Sequence, residues 1–172
     1  MRFAVLGNSG SGKSTLSRAL ATFYSASSLD LDTVAWVPGA IAVPRDPLEA
    51  EGDVRRFCAE HESFVIEGCY ENLISASFSF KPHLIFLDVD ATVCERHCRA
   101  RPFEAHKYNS PQEQEERLSL LLDWVRGYYT RTGHMSRAEH IRVYRSYAGP
   151  KSRYSAVASL SDIGEVVARR DA

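Results

Sequence analysis

Short apolar runs alternate with amphipathic stretches along this chain. Apolar runs of four to six residues are typical of β-strands buried on both faces of a parallel sheet. The predicted strands are residues 3–6, 28–32, 64–68, 84–88 and 154–160. Most of them end at a glycine or a carboxylate, as at Gly7, Asp32, Gly68 and Asp88. Because ligands of parallel sheets bind beyond the carboxyl ends of the strands, we expect these positions to converge at one site.

The stretches between the runs carry helix signals. After the first strand, Leu16, Ala19, Leu20 and Phe23 have the i, i+3, i+4, i+7 spacing of a helix face. A polar capping residue precedes each of the other predicted helices, and most are followed by glutamate three residues on. These caps are Asp46, Thr92, Ser110, Ser136 and Ser161, the last preceding a final helix through residue 167. The alternation predicts an α/β fold of three αβα layers around a five-stranded parallel sheet.

Length and charge restrict the class of protein further. With 172 residues, 44% of them apolar, we expect a single domain spanning residues 1–172. A net charge of -1 excludes a strongly basic nucleic-acid coat, so a nucleic-acid partner is not expected. No apolar run approaches the roughly 18 residues of a membrane span, and the N-terminus reaches a glycine-rich loop too early for a signal peptide. We therefore expect no membrane association, a cytoplasmic protein and four reduced cysteines.

A glycine-rich loop follows the first predicted strand and matches the pattern GxxxxGK[ST] in full. Glycines in such a loop let successive backbone N–H groups surround a phosphate, and the following helix adds its positive dipole end. We expect Lys13 to reach the β- and γ-phosphates and the Ser14 hydroxyl to ligate Mg²⁺. ATP and Mg²⁺ are the predicted cofactors. The loop residues are Gly7, Asn8, Ser9, Gly10, Ser11, Gly12, Lys13, Ser14 and Thr15.

Charged residues elsewhere match the other needs of phosphoryl transfer. Placing Mg²⁺ and orienting an acceptor require carboxylates, and the candidates are Asp32, Glu67, Asp88 and Asp90. The alternative for Asp88 and Asp90 is capping of the next helix. Arginines stabilise the transferred charge best, and a basic helix carries Arg96 and Arg99, with Arg101 at its end beside a terminating Pro102. We expect Arg101 first, and Arg96 second, to contact phosphate from a short lid at approximately residues 92–112.

Four stretches resemble the nucleoside-monophosphate kinase and shikimate kinase branch of P-loop NTPases. They are the glycine-rich loop, residues 29–33, residues 64–70, and residues 84–90 with the arginines that follow. The Asp-x-x-x-Trp segment from Asp32 to Trp36 and the acid-Gly-x-Tyr segment from Glu67 to Tyr70 resemble bacterial proteins labelled adenylate-kinase-like or DNA topology modulation kinases. The resemblance implies that Asp32 contacts the acceptor or acts as its base, and that Glu67 holds a Mg²⁺-bound water.

The resemblance does not identify the acceptor, because this chain departs from both kinds of relative. Adenylate kinases continue the third strand with Pro-Arg after the aromatic residue, whereas Glu71-Asn72 follows Tyr70 here. The glycine-rich end of this strand in shikimate kinases is also missing. The predicted acceptor-pocket residues are Asp32, Trp36, Arg45, Gly68 and Tyr70.

Two other groups of residues could have a functional role but also have a simpler structural explanation. Cys94, His97 and Cys98 offer at most three metal ligands with no second pair nearby, so a zinc site is not favoured. The basic residues between Arg142 and Arg153 form either a solvated surface or a contact with the nucleotide base or an anionic partner.

Two functional hypotheses follow. The first is an ATP- and Mg²⁺-dependent phosphotransferase, a kinase of a small molecule or nucleotide, whose ligands are ATP, ADP and an unidentified acceptor. The alternative is a nucleotide-binding regulatory ATPase with a protein or nucleic-acid partner. The sequence leaves the acceptor open, together with the choice between a monomer and a homodimer.

Overall fold

Five parallel strands form the central sheet of the computed structural model, which describes residues 1–37, 43–103 and 109–163. The strands are β1 Arg2–Gly7, β2 Ser27–Asp30, β3 Phe64–Gly68, β4 His83–Leu87 and β5 Lys151–Tyr154. In spatial order the sheet runs β2-β3-β1-β4-β5, so β1 is the middle strand. Every neighbouring pair is parallel. The predicted α/β fold with a five-stranded parallel sheet is confirmed.

Helices connect the strands and begin mostly where their caps predict. The Asp46 carboxylate accepts from the N–H groups of Leu48 and Glu49, while the Ser110 and Ser136 hydroxyls accept from N–H groups three residues on. These three predicted caps are confirmed. The helices are α1 Lys13–Phe23, α2 Asp32–Ala35, α3 Pro47–Glu60, α4 Glu71–Ala76, α5 Ala91–Arg99, α6 Pro111–Gly127 and α7 Arg137–Ser146, with a 3₁₀ turn at Phe78–Phe80.

The helices form two layers because alternate side chains of each strand point to opposite faces of the sheet. Leu6, Ile66 and Phe86 pack against α3, α4 and α7 on one face. Val5 and Val65 pack against α1, α5 and α6 on the other face. The predicted three-layer αβα architecture is confirmed. Within the three described ranges, no helix combines the length and the apolar character needed to cross a bilayer.

The last predicted strand, at residues 154–160, is wrong. The fifth strand is Lys151–Tyr154, which directly follows Pro150 and has the polar sequence Lys-Ser-Arg-Tyr. It lies at the sheet edge beside β4, where only one side of the strand is hydrogen-bonded, so its side chains need not be uniformly apolar. Apolarity alone therefore pointed to the wrong segment.

Two predicted caps are also wrong. Asp90, not Thr92, caps α5, since its carboxylate accepts from the Thr92 N–H at 2.8 Å. Near the end of the described chain, a helical turn at residues 160–163 is preceded by Ser159, which pairs with Asp162, so the predicted cap at Ser161 is two residues late. The continuation of that predicted helix lies outside the described residues.

Candidate active site

The glycine-rich loop leads from β1 directly into α1. Gly10 and Gly12 have φ angles of 78° and 95°, a left-handed conformation that side chains disfavour, so glycine is needed at both positions. The Ser11 N–H donates to the Asn8 carbonyl at 3.2 Å and closes the curl of the loop. No side chain caps the N-terminus of α1 within the described residues. Its free N–H groups and the helix dipole form a site for an anion at the carboxyl end of β1.

The Lys13 ammonium lies inside this curl. Its Nζ donates to the Asn8 carbonyl at 2.9 Å, and the residue is only 9% exposed. The next two residues, Ser14 and Thr15, are exposed. The loop therefore holds a cation beside the uncapped helix and leaves the Ser14 hydroxyl open to a ligand. This donor set fits a nucleotide phosphate together with Mg²⁺, a cation that takes oxygen ligands.

Two helices hold the loop from behind. The Asn8 side chain donates to the Val125 carbonyl of α6 at 3.0 Å and accepts from the Ser9 N–H at 2.8 Å. Nδ1 of His97, on α5, is 2.8 Å from the Gly10 carbonyl oxygen, to which it donates. The Asn8 side chain, which the sequence placed among the nucleotide-binding groups, thus anchors the loop to α6.

The cysteines near His97 serve the same packing. A Cβ at Gly10 would lie 2.2 Å from the Cys94 carbonyl oxygen and 2.9 Å from Cys98 Sγ, so α5 touches the loop closely. Both cysteines are buried, and no group of three or more metal-ligating side chains occurs in the described part of the chain. No sequence signal marks His97 as a partner of the loop, because His97 lies 87 positions after Gly10 in the chain.

Glu67 is the penultimate residue of β3. It pairs in register with Val5 of β1 and Asp30 of β2, and it is 6% exposed. Alternation along β3 puts Glu67 on the same face as Val65, which is the face that α1 covers. Within the described residues its carboxylate forms no hydrogen bond or ion pair, so Glu67 is available to a metal-bound water.

Asp88, at the end of β4, is instead paired with two arginines. Arg137 of α7 donates to both carboxylate oxygens, at 2.7 and 2.8 Å, and Arg153 of β5 donates to Oδ2. Burial raises the pKa of Asp88, but the hydrogen bonds from both arginines outweigh it and hold that pKa below its usual value. Asp88 neither caps α5 nor stands free for Mg²⁺. The sequence reasoning missed Arg137, which no local motif marks.

Three predicted acceptor-pocket residues form one hydrogen-bonded chain. The Trp36 indole Nε1 donates to Tyr70 Oη at 2.7 Å, and Tyr70 Oη donates to Asp32 Oδ1 at 2.7 Å. Burial, with the nearby charges of Cys69 and Asp32, raises the pKa of Tyr70, so its hydroxyl keeps its proton and remains a donor. Asp32 begins the short helix α2, two residues after β2 ends, instead of ending the strand as predicted.

Gly68 and Arg45 have packing roles beside this chain. A Cβ at Gly68 would lie 2.9 Å from Leu31 Cβ and 3.1 Å from Tyr70 Cδ2, so glycine lets α2 and Tyr70 approach β3. The Arg45 guanidinium is 2.8 Å from Asp53 of α3 and donates to the Val34 carbonyl of α2. Both residues shape the predicted acceptor pocket through contacts with the protein itself.

The predicted lid begins with α5. Arg96 is exposed on this helix, and Arg101 follows it, half-buried, with its N–H bonded to the Cys98 carbonyl. Gln114 of α6 donates to the Pro102 carbonyl at 3.2 Å, which ties the two sides of the lid together. The centre of the lid, residues 104–108, lies outside the described residues.

The fold is that of the P-loop kinases related to nucleoside-monophosphate and shikimate kinases. No family model matches the chain, and no curated protein matches its sequence. The solved structures that share the fold over nearly the whole chain include three named kinases. A gluconokinase from Sinorhizobium meliloti 1021 is 17% identical with a TM-score of 0.58 and covers 98% of this chain and 92% of its own.

Two further kinases of this fold are named for different acceptors. A shikimate kinase from Bacteroides thetaiotaomicron is 18% identical with a TM-score of 0.52, and 99% of this chain aligns with 96% of that one. A deoxyadenosine kinase from M. mycoides, solved with bound dATP, is 12% identical with a TM-score of 0.53, and both chains are covered fully. At these identities the similarity shows the fold, and the fold alone does not choose among acceptors.

Proposed function

We propose that this protein is an ATP- and Mg²⁺-dependent phosphotransferase that transfers the γ-phosphate to an acceptor. The observation that carries the proposal is the complete glycine-rich loop at the N-terminus of α1. No described side chain caps this helix, and the Lys13 ammonium donates a hydrogen bond within the loop. A loop of this kind cradles the phosphates of a nucleoside triphosphate. The kinase fold of the similar structures supports the same class of reaction.

The donor half of the site follows from the loop. Backbone N–H groups at residues 9–15 and the α1 dipole would bind the phosphates, and Lys13 would neutralise charge on the β- and γ-phosphates as the γ-phosphate moves. The Ser14 hydroxyl would ligate Mg²⁺, with Glu67 holding one of its waters. When bound, Mg²⁺ would offset negative charge on the phosphates. Arg101 and Arg96 of the lid are the proposed contacts with the transferred group.

The acceptor half is built around Asp32. Its carboxylate would accept a hydrogen bond from the attacking hydroxyl, orient it toward the γ-phosphate and take its proton as the new P–O bond forms. ADP leaves with the electrons of the broken bond. The Tyr70 hydroxyl donates a hydrogen bond to Asp32 and so positions its carboxylate. The Trp36 indole in turn donates a hydrogen bond to the Tyr70 hydroxyl. Because phosphoryl transfer needs little covalent chemistry from the protein, this positioning supplies most of the catalysis.

Transfer of labelled phosphate from [γ-³²P]ATP to a panel of metabolites and nucleotides tests the proposal. We expect one labelled product in the wild type and a loss of roughly a hundredfold or more in Lys13→Ala. Arg117→Ala is the matched control, since it removes an exposed cation of α6 that pairs with Glu113 on the same helix. Thermal unfolding should be similar in all three proteins. Equal transfer by Lys13→Ala would overturn the proposal.

The absence of the Pro-Arg segment favours one second candidate. The residue after Tyr70 is Glu71, a buried carboxylate bonded to His134 and to the Met135 N–H, so no arginine of this segment grips an acceptor phosphate. A regulatory ATPase with a protein or nucleic-acid partner would also use the loop without an acceptor. In the same assay it would release free labelled phosphate slowly and give no labelled metabolite.

A further inference from the structure

Cys94, His97 and Cys98 form one face of α5, and the proposed function gives this face no role. The three residues are three and four positions apart, so their side chains project from the same side of the helix. Both cysteines are buried, and the close approach of the Cys94 carbonyl and Cys98 Sγ to Gly10 shows that this face packs on the glycine-rich loop. The packing therefore fixes where the imidazole of His97 lies.

The imidazole makes a directed contact with one peptide of the loop. Its Nδ1 is 2.8 Å from the Gly10 carbonyl oxygen. Because a carbonyl oxygen can only accept, Nδ1 carries the proton and donates the hydrogen bond. The side chain of the next residue, Ser11, does not hold this peptide, since its hydroxyl is buried and has no hydrogen-bond partner within the described residues. His97 is thus the side chain that orients the peptide between Gly10 and Ser11.

The orientation of this peptide decides what the loop presents to a phosphate. A peptide unit is planar and trans, so its C=O and N–H groups point in opposite directions. The Gly10 carbonyl points to His97. The Ser11 N–H accordingly points into the curl, where it donates to the Asn8 carbonyl at 3.2 Å. Lys13 Nζ donates to the same carbonyl at 2.9 Å, so the contact with His97 aligns a backbone donor with the Lys13 ammonium.

Glycine makes the opposite orientation of this peptide accessible. Gly10 has a φ angle of 78°, and glycine, which lacks a Cβ, adopts positive and negative φ about equally readily. Rotation of the Gly10–Ser11 peptide would turn the carbonyl oxygen into the curl and the N–H out of it. A carbonyl oxygen directed at a phosphate repels it, whereas an N–H group attracts it. A donor outside the loop favours the binding orientation, and His97 is such a donor.

We propose that His97 is a positioning residue for the phosphate-binding loop. It acts through the Gly10–Ser11 peptide, because its hydrogen bond keeps the Ser11 N–H directed at a bound phosphate beside Lys13. The proposal rests on the proposed kinase function and adds a residue that determines the affinity for the phosphates of the donor. His97 contacts the loop from outside the curl, so this role requires no contact between the imidazole and the nucleotide.

Calorimetric titration with ATP and with inorganic tripolyphosphate, each with Mg²⁺, tests the proposal. Tripolyphosphate has no base or sugar and therefore reports on the loop alone. His97→Leu has a similar volume but no donor, and we expect it to weaken the binding of both ligands by about tenfold. His97→Asn keeps an N–H at the same distance along the side chain as Nδ1, so it should bind both ligands within about threefold of the wild type.

Two results would overturn the proposal directly. One is an equal loss of affinity in His97→Asn and His97→Leu, which would assign the effect to the shape of the ring. The other is a loss for ATP that tripolyphosphate does not share, which would assign the effect to the base or sugar. Thermal unfolding checks that each variant is folded, and His97→Ala removes the donor with a better helix former if leucine prevents folding.

His61→Leu is the matched control. Nδ1 of His61 is also 2.8 Å from a backbone carbonyl oxygen, that of Phe57 in α3. His61 ends this helix just before β3, at the amino end of the sheet and away from the loop. We expect its variant to bind both ligands as the wild type does, and a loss equal to that of His97→Leu would overturn the proposal. Failure of the wild type to bind ATP would instead overturn the proposed kinase function.

Discussion

Asp32 is held by an aromatic hydrogen-bonded chain whose members lie 34 and 38 residues apart in the sequence. Tyr70 is the centre of this chain because its hydroxyl accepts from Trp36 and donates to Asp32. A hydrogen bond to a carboxylate contributes about 1.5–3 kcal/mol when its donor is removed. The direction of the Asp32 carboxylate therefore depends strongly on one hydroxyl group.

Tyr70→Phe should reduce kcat/KM for the acceptor by roughly tenfold to a hundredfold, which corresponds to that hydrogen bond. KM for ATP should not change, because the glycine-rich loop does not contact the Tyr70 hydroxyl. Steady-state kinetics with each substrate varied in turn measures both. Trp36→Phe keeps an aromatic ring but removes the donor to Tyr70, so its effect should be smaller. A change in KM for ATP alone would contradict the positioning role.

At the scale of elements, the conformation of the glycine-rich loop depends on α5 as much as on its own glycines. The Cys94 carbonyl of α5 touches Gly10, and His97 of the same helix donates to the Gly10 carbonyl. Arg126 of α6 pairs with Glu95 of α5 at 2.7 Å, so both helices behind the loop are joined. The loop conformation is a product of these packed helices and of the sheet end.

Gly10→Ala should destabilise the fold by at least about 2 kcal/mol, because alanine is strained at a left-handed φ and its Cβ would overlap the Cys94 carbonyl. Gly52→Ala is the same chemical change in the middle of α3, where an added Cβ meets nothing within 4 Å. It should stabilise the protein by about 0.5–1 kcal/mol, as alanine does in helices. Urea unfolding of both variants measures the difference. Equal shifts would show that Gly10 is not constrained by α5.

At the scale of the whole molecule, one buried histidine joins three elements. His140 of α7 is fully buried, and its Nε2 donates to the Cys69 carbonyl just after β3, at 2.9 Å. Its Nδ1 accepts from the Tyr128 hydroxyl at the end of α6, at 2.9 Å. Because one ring nitrogen donates and the other accepts, the imidazole of His140 is neutral. Burial lowers the pKa of His140 to about 4 from its usual 6.5.

This shift predicts a loss of stability in mild acid. Between pH 6.5 and 4 the unfolded chain binds a proton at His140 and the folded protein does not, so the free energy of unfolding falls as the pH falls through this range. The full effect is about 3 kcal/mol. Urea unfolding at about pH 7, 5.5 and 4.5 should show a progressive decline in the wild type.

His140→Gln should remove most of this decline, since glutamine has a donor and an acceptor but does not titrate. The lowered pKa values of Asp53 and Asp88 act in a separate range, because their contribution is lost only below the usual carboxylate value near 3.8. A decline that persists unchanged in His140→Gln would assign it to other groups.

Most helices and strands could be predicted from local signals. Four strands are apolar runs or end at a polar residue, and the caps at Asp46, Ser110 and Ser136 depend only on neighbours in the chain. The strand β5 could not be found this way because it is polar, short and at an edge, and its place is fixed by pairing with β4. Asp90 and Thr92 are both good caps, and the structure uses Asp90, whose carboxylate accepts from the Thr92 N–H.

The sequence by itself determined the αβα layers, the glycine-rich loop and the acidic strand ends, because these depend on periodicity and on the conformational freedom of glycine. Only the tertiary structure decided which charges are paired. It paired Asp88 with Arg137 and Arg153, paired Arg45 with Asp53, joined Trp36 and Tyr70 to Asp32, and placed His97 behind Gly10. The physical reason is that a charge acts through neighbours within a few ångströms, and in a crossover fold those neighbours come from distant parts of the chain.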